Sequence, residues 1–119
     1  MKHILKIAAL SVVLVCALSC RQTDVRVMKI WAPEMKNERC SEVIMAAFRQ
    51  YSQLPNMDGS IMVDNIKFDL KERSITVEFD SMKVALKNLE HIVAGAGFAA
   101  NDIPADTNAV AKLPPECRL

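Results

Sequence analysis

The stretch IKFDLKERSITVEFD, residues 66–80, carries the strongest structural pattern in the chain. Apolar side chains at Ile66, Phe68 and Leu70 alternate with polar ones, and the alternation returns at positions 75, 77 and 79. A period of two is typical of strands with one buried face, and three charged residues separate the two runs. The stretch therefore predicts a β-hairpin with strands over 66–70 and 75–79.

Before the hairpin, the sequence predicts a strand and a helix. Val25–Trp31 is rich in β-branched and apolar residues, which favour a strand. Asn37 is a good helix N-cap residue and would place Cys40 in the first turn of the helix that follows. Apolar residues then recur in steps of three and four, as in an amphipathic helix, at positions 43, 44, 47, 48, 51 and 54.

After the hairpin, the same reasoning predicts a second helix and a last strand. Asp80 and Ser81 offer a helix start, and Gly95 and Gly97 offer its end. Residues 98–103 would form a brief fourth strand. The order strand, helix, strand, strand, helix, strand predicts an α+β class, ferredoxin-like βαββαβ fold, with two helices on one face of a four-stranded antiparallel sheet.

The first nineteen residues have the features of a secretory signal peptide. A short basic start is followed by an apolar run over residues 7–18, which is too short to span a bilayer as a helix. The residues before Cys20 resemble the bacterial lipobox, in which the cysteine receives a lipid. This resemblance implies a lipidated tether over residues 20–24 and a membrane-anchored lipoprotein of the cell envelope, facing the periplasm or the exterior. An ordinary signal peptide cleaved nearby is the alternative.

Charge and composition exclude several classes of function. Without residues 1–19, 13 basic and 14 acidic residues remain, a net charge of −1. No basic patch interleaved with aromatic residues remains, so the sequence does not indicate a nucleic-acid partner. It also lacks a Cys-His or Ser-His-Asp set and a glycine-rich phosphate loop, so we do not expect an enzyme.

Two cysteines are left for chemistry once the signal peptide and Cys20 are set aside: Cys40 and Cys117. In an oxidising compartment such thiols pair with each other, bind a metal or react. A thiol in the first turn of a helix feels the positive end of the helix dipole, and Arg39 adds a positive charge beside Cys40. Both effects favour the thiolate, the form that binds metals and attacks disulfides.

The element order, the hairpin and the loop over residues 35–40 together resemble the heavy-metal-associated domain family. That family carries Met-X-Cys-X-X-Cys between its first strand and first helix, and this chain has Met35, Asn37 and Cys40 at the corresponding places. The likeness covers residues 25–100 or so. It sets the predicted domain at residues 25–103, followed by a tail over 104–119 that carries Cys117.

The chain departs from the family pattern in three places. Asn37 replaces the first motif cysteine. The segment over residues 53–65, between the first helix and the hairpin, is longer than the usual connection, and we assign it no role. The tail keeps Cys117 but has Arg118 where a second cysteine would stand.

The resemblance implies an extracytoplasmic protein that binds or hands over a soft metal ion, Cu(I) above all, to a metal-transport or metal-accepting partner. Soft sulfur ligands select such ions over hard cations. The expected ligands are Cys40 and Cys117, with Met35 as a thioether candidate. The alternative for Met35 is packing beneath the loop, and a surface role is expected for His91. The rival function is a non-metal interaction module of the same fold, stabilised by a Cys40–Cys117 disulfide. A weaker third reading is a thiol redox partner that uses Cys40.

Overall fold

The structure, a computed structural model, describes residues 23–118. The predicted signal peptide and the lipidation site Cys20 lie outside the described residues. Three strands, three α-helices and two 3-10 turns follow one another in the described part. The strands are β1 (Val25–Trp31), β2 (Lys67–Asp69) and β3 (Ser74–Asp80), the helices are α1 (Glu38–Ser52), α2 (Leu86–Gly95) and α3 (Thr107–Ala111), and the turns span Val63–Asn65 and Pro115–Cys117.

The sheet is organised around β3, which lies between the other two strands. The strand order is β1-β3-β2, and both pairings are antiparallel. The longer pairing runs from Val25 opposite Asp80 to Trp31 opposite Ser74. Because β3 is central, the apolar side chains that alternate along it at 75, 77 and 79 are all buried.

The helices cover one face of the sheet and complete the core. Helix α1 turns Cys40, Ile44 and Phe48 inward, and these side chains are fully buried. Helix α2 contributes Leu89 and Val93 from the other side of the core. Every buried core residue of the described part lies between Ile30 and Cys117. None of the helices described there has the length and apolar character needed to cross a membrane.

The prediction of a fourth strand over residues 98–103 is wrong: the sheet has three strands in the described part of the chain. The chain does reach the outer edge of β1, where the Asn101 N–H donates to the Trp31 carbonyl at 2.8 Å. Asn101 has a φ of 53°, in the left-handed region, and so turns the backbone away from the sheet. In place of the predicted strand, residues 98–103 contain an isolated antiparallel bridge between Ala100 and Ile103.

The second helix begins later than the sequence predicts, at Leu86. The Asp80 carboxylate accepts from the Met82 N–H at 3.0 Å, and its carbonyl accepts from the Lys83 and Val84 N–H groups. These bonds make a turn at the position predicted as a helix start, because aspartate side chains also stabilise turns. In the 53–65 segment, Ile61 forms an antiparallel bridge with Phe79 of β3.

Two carboxylates on the sheet have a lowered pKa. A hydrogen bond from Ser81, followed by one from Arg26, lowers the pKa of Asp24 at the start of β1. A hydrogen bond from Lys29, then one from Ser74, lowers the pKa of Glu72 in the hairpin turn. The Ser81–Asp24 and Lys29–Glu72 bonds each connect the β1 segment to residues beside one end of β3.

Candidate metal centre

The loop before α1 places Cys40 in the first turn of that helix, as predicted. Asn37 is the N-cap, with an extended backbone (φ −148°, ψ 174°). Its Oδ1 accepts from the Cys40 N–H at 3.2 Å, which satisfies a backbone donor that the helix cannot pair internally. The position of the Cys40 sulfur is therefore fixed by the helix start.

The C-terminal tail returns to this loop after leaving the sheet at Asn101. The Asp106 N–H donates to the Ala94 carbonyl of α2 at 2.9 Å, and the Asp106 side chain caps α3. Leu113 is buried and packs closely on Gly97, whose φ of 106° suits glycine. These contacts guide the last turn, Pro115–Cys117, to the N-terminus of α1.

Cys40 and Cys117 form a disulfide there. Their Cα atoms lie 5.6 Å apart although the residues are 77 positions apart in the sequence. Cys40 is 0% exposed and Cys117 is 3% exposed, so the bond is enclosed by protein. The sequence left pairing with each other, metal binding and reaction as alternatives for these two thiols, and the structure shows the disulfide.

Asn37 also holds the tail. Its Nδ2 donates to the Glu116 carbonyl at 3.3 Å, immediately before Cys117. The same side chain thus caps the helix through its oxygen and ties the tail through its nitrogen. Its Oδ1 lies 3.3 Å from the Cys40 sulfur, a contact and not a hydrogen bond, because a disulfide sulfur carries no proton.

Arg39 and Glu116, the sequence neighbours of Cys40 and Cys117, take part in ion pairs. Arg39 Nη1 lies 3.3 Å from Glu42 Oε2, and Arg39 Nε lies 4.0 Å from Glu116 Oε1. More than half of each of the Arg39 and Glu42 side chains is exposed, so these ion pairs contribute little to stability. Arg39 is thus paired with one carboxylate on α1 and with one on the tail.

Met35 lies beneath the loop and is 0% exposed. Its N–H donates to the Ala32 carbonyl at 3.0 Å, which closes a turn after β1. Beside it, Glu34 Oε2 accepts from the Ala99 N–H at 2.6 Å. Glu34 and Cys117, with Gly97, Val110 and Leu113, line a small cavity of about 100 Å³.

The remaining candidate residues do not join this group. His91 is exposed on α2, facing the groove between that helix and α1. Residues 23–118 contain no group of three or more His, Cys, Asp or Glu side chains arranged to hold a metal ion. A site built from the described residues therefore depends on the two sulfurs, which are donors suited to soft ions.

Apart from the Cys40–Cys117 disulfide, which was one of the alternatives, sequence reasoning did not predict the contacts of the tail. The Asn37–Glu116 bond uses a backbone carbonyl, which has no sequence signature. Glu34 was not singled out either, because a carboxylate that accepts a backbone N–H from a distant residue shows no pattern in the sequence. The one available signal was Gly97, a glycine just past a helix, which was interpreted only as a helix end.

Comparison with known proteins supports the fold. No family model matches the chain, and no curated protein matches it. Among solved structures, the crystal structure of oxidised MerP from Ralstonia metallidurans CH34 is similar, with a TM-score of 0.53 and 18% sequence identity. The match covers 66% of this chain and 96% of that one. The chain therefore has a MerP-like, ferredoxin-like fold of the α+β class, as the heavy-metal-associated resemblance predicts.

Proposed function

We propose that this protein is an extracytoplasmic carrier of a soft metal ion, Cu(I), which its reduced form holds between Cys40 and Cys117. The disulfide is then the oxidised, metal-free form. The observation that carries the proposal is the pairing of these two sulfurs at the N-terminus of α1. In the family that the sequence resembles, the metal loop occupies this place between first strand and first helix, and Cys117 takes the role of the missing motif cysteine.

The oxidised protein becomes the metal-bound protein in two steps, reduction of the disulfide and exchange of protons for the metal ion. The disulfide accepts two electrons and two protons from an external dithiol reductant, which becomes a disulfide itself. The ion then displaces the protons from both thiols, because the thiolate is the metal ligand. The positive end of the α1 dipole favours the thiolate at Cys40. Two thiolates are soft donors and select a soft monovalent ion over hard cations.

Binding requires a small movement of the tail. With the zinc–sulfur bond length of about 2.3 Å as a guide, a metal ion held linearly between two sulfurs separates them by roughly 4.6 Å, well beyond a disulfide bond length. Cys40 is held by a helix of 15 residues, so Cys117 is the partner that moves. The Asn37–Glu116 bond and the Leu113–Gly97 contact limit that movement.

The test is an anaerobic Cu(I) titration of the reduced protein in competition with a chromogenic Cu(I) chelator. We expect one equivalent to bind, and we expect Cys40→Ser and Cys117→Ser each to lose that affinity. His91→Ala, a change at an exposed position on α2, is the matched control and should bind like the parent. If both serine variants bind as well as the parent, neither sulfur is a ligand.

Met35→Leu in the same titration separates the two roles proposed for Met35. Its complete burial supports packing beneath the loop. Unchanged affinity would leave Met35 with that packing role alone, and weakened affinity together with unchanged unfolding would make its thioether a third ligand.

The N-terminal segment supports a location at the cell envelope for this carrier. A lipid on Cys20 anchors the domain to a membrane of the cell envelope, facing the periplasm or the exterior, and a metal-transport or metal-accepting protein exchanges the ion. Support comes from the sequence of residues 1–20. Mass spectrometry of the protein from native membranes tests the lipid, and Cys20→Ser should release the protein from the membrane fraction.

The second candidate function is an interaction module in which the disulfide is permanent. The specific observation in its favour is the burial of both cysteines, since enclosed disulfides resist reduction. The interaction-module function requires that the reduced protein take up no Cu(I). It also requires that the disulfide persist in protein isolated from cells grown with added copper. The carrier proposal requires the opposite result in both measurements.

A further inference from the structure

The two sulfurs of the disulfide differ in how a small molecule can reach them. Cys117 lines the cavity of about 100 Å³ beside the tail, whereas Cys40 does not line it and is 0% exposed. Two other lining residues, Glu34 and Val110, are half-buried and reach the surface. At a liquid volume of about 30 Å³ per water, the cavity has room for roughly three waters or for the thiol end of a small molecule. The cavity therefore leads from the surface to Cys117.

The two sulfurs also differ in how firmly the backbone holds them. Cys40 lies at the start of a helix of 15 residues, and its N–H donates to the Asn37 carbonyl at 3.1 Å and to Asn37 Oδ1 at 3.2 Å. Cys117 lies in a turn of three residues, which its N–H closes with the Pro114 carbonyl at 2.9 Å. In thiol–disulfide exchange the attacked sulfur moves away from the sulfur that leaves. Cys117 can make that movement with less disruption of the fold.

Electrostatics favours Cys40 as the sulfur that leaves. Exchange expels one sulfur as a thiolate, and the sulfur with the more stable thiolate leaves faster. The positive end of α1 stabilises a thiolate at Cys40. Asn37 Oδ1, at 3.3 Å from that sulfur, opposes the charge only as part of a neutral amide. A thiolate at Cys117 would instead face a cavity that is also lined by the carboxylate of Glu34.

We infer, on the basis of the reduction step in the proposed function, that an external dithiol attacks Cys117 through this cavity, that Cys40 leaves, and that Glu34 disfavours anionic thiols. The attacking thiolate bonds to the Cys117 sulfur as the Cys40–Cys117 bond breaks, and the electron pair of that bond leaves with Cys40, which takes a proton from water. The second thiolate of the reductant then attacks its own sulfur in the mixed disulfide. This step closes the disulfide of the reductant and releases Cys117 as a thiolate, so that the protein gains two electrons and the reductant loses two.

Glu34 is the charged residue that lines the path to Cys117. Its Oε2 accepts from the Ala99 N–H at 2.6 Å, which fixes the side chain beside the cavity. An anionic thiol brings a second negative charge to this carboxylate, whereas a thiol with an ammonium group brings the opposite charge. Arg118 follows Cys117 in the sequence, but it is exposed and does not line the cavity. We therefore expect reduction by cationic thiols to be faster.

The first test identifies the attacked sulfur. The full-length chain with Cys16→Ser and Cys20→Ser, in non-ionic detergent and with its disulfide intact, is treated with cysteamine and quenched early with N-ethylmaleimide. Trypsin then releases the two cysteines in different peptides, residues 40–49 and 113–118. Mass spectrometry should find cysteamine on Cys117 and maleimide on Cys40, in about tenfold excess over the reverse arrangement.

The second test measures the charge preference at low ionic strength, where charges are screened least. Cysteamine should reduce the parent at least about threefold faster than 2-mercaptoethanesulfonate, after correction for the thiolate fraction of each reagent. Glu34→Gln removes the charge and keeps an oxygen for the Ala99 N–H, so it should shrink that ratio. Glu42→Gln is the matched control: this exposed carboxylate pairs with Arg39 beside Cys40, and its loss should leave the ratio unchanged.

Three results would overturn the inference. They are adducts mainly on Cys40, an equal distribution over both cysteines as expected for reduction of the unfolded chain, and a rate ratio that Glu34→Gln leaves unchanged. A disulfide that neither thiol reduces would overturn it as well. Neither test contains a metal, so these results are distinct from failure of the proposed function, in which the reduced protein takes up no Cu(I).

Discussion

Asn37 and Glu116, 79 positions apart in the sequence, are joined by a hydrogen bond of 3.3 Å from the Asn37 amide nitrogen to the Glu116 carbonyl. The same asparagine caps α1 with its oxygen. Asn37, which stands in place of the first motif cysteine, therefore connects the start of α1 to the tail that carries Cys117. Substitutions of Asn37 can separate its capping of α1 from its hydrogen bond to the tail.

Asn37→Ala removes both bonds and should destabilise the protein by about 1–2 kcal/mol, the usual cost of losing an N-cap with a further bond added. Asn37→Asp keeps the cap oxygen and loses the donor to Glu116, so it should cost less than Asn37→Ala. Urea unfolding of the oxidised protein measures both. Asp106→Ala, which removes only the cap of α3, is the comparison; equal stability of Asn37→Ala and the parent would contradict the dual role.

Reduction of the Cys40–Cys117 bond should lower stability substantially. A disulfide between residues 77 positions apart is worth about 4.5 kcal/mol in the loop-entropy relation. Cys117→Ser in the oxidised state should lose a similar amount. The measurement is urea unfolding with and without reductant, and addition of reductant should leave Cys117→Ser unchanged. A loss below about 1 kcal/mol would mean that the tail is held by its other contacts.

Gly97→Ala should loosen the tail. An added Cβ would come within 3.0 Å of the Leu113 side chain, and the φ of 106° is strained for any residue but glycine. We expect a loss of about 1–3 kcal/mol and faster reduction of the disulfide. Gly95→Ala is a matched control, because an added Cβ there has no neighbour within 4 Å and alanine favours the helix. Similar results for the two glycines would contradict the account of the tail.

Acid should destabilise the sheet through Asp24 and Glu72. The ordinary pKa values are 3.8 for Asp24 and 4.5 for Glu72, and both are lowered in the folded protein. The main cause is a hydrogen bond from Ser81 to Asp24 and one from Lys29 to Glu72. The unfolded chain therefore binds protons more readily, and the stabilisation is present in full only above those values. It is lost as the pH falls from about 4.5 through the lower folded pKa values.

Asp24→Asn should flatten part of this pH dependence. The check is unfolding free energy between neutral pH and pH values below 3 for the parent and the variant. Asp64→Asn, which touches neither pair, should keep the parent's profile. A parent whose stability stays constant over this range would show that the two hydrogen bonds do not favour the ionised carboxylates.

The sequence predicted the elements whose signals are local. The content of β-branched and apolar residues predicted β1, and the period-two pattern predicted the hairpin. The steps of three and four predicted α1, and the capping preference of asparagine predicted the helix start at Asn37. The coarse α+β, ferredoxin-like assignment is confirmed by the likeness to oxidised MerP. Prediction failed at Asn101, where a left-handed residue turns the chain away from the expected fourth strand. It also failed at Asp80, whose side chain stabilises a turn at the position predicted as a helix start.

The site was predicted less completely than the fold. Cys40 and Cys117 were identified because only two cysteines remain after the N-terminal segment, but elimination could not choose between a disulfide and a metal pair. The path of the tail depends on Leu113 packing against Gly97 and on the Ala94 carbonyl, contacts that exist only in the folded chain. Metal binding by these sulfurs, and a role for Met35 in it, remain predictions.

X-ray absorption at the copper edge of the reduced, Cu(I)-loaded protein tests the central proposal most directly. If the ion is held by Cys40 and Cys117, the spectrum will show two sulfur neighbours in the parent and one fewer from the protein in Cys117→Ser. Reoxidation of the loaded parent will also be slower than that of the metal-free protein, because the ion and the disulfide compete for the same two sulfurs. A reduced protein that retains no copper, or a first shell of nitrogen and oxygen, would contradict the proposal.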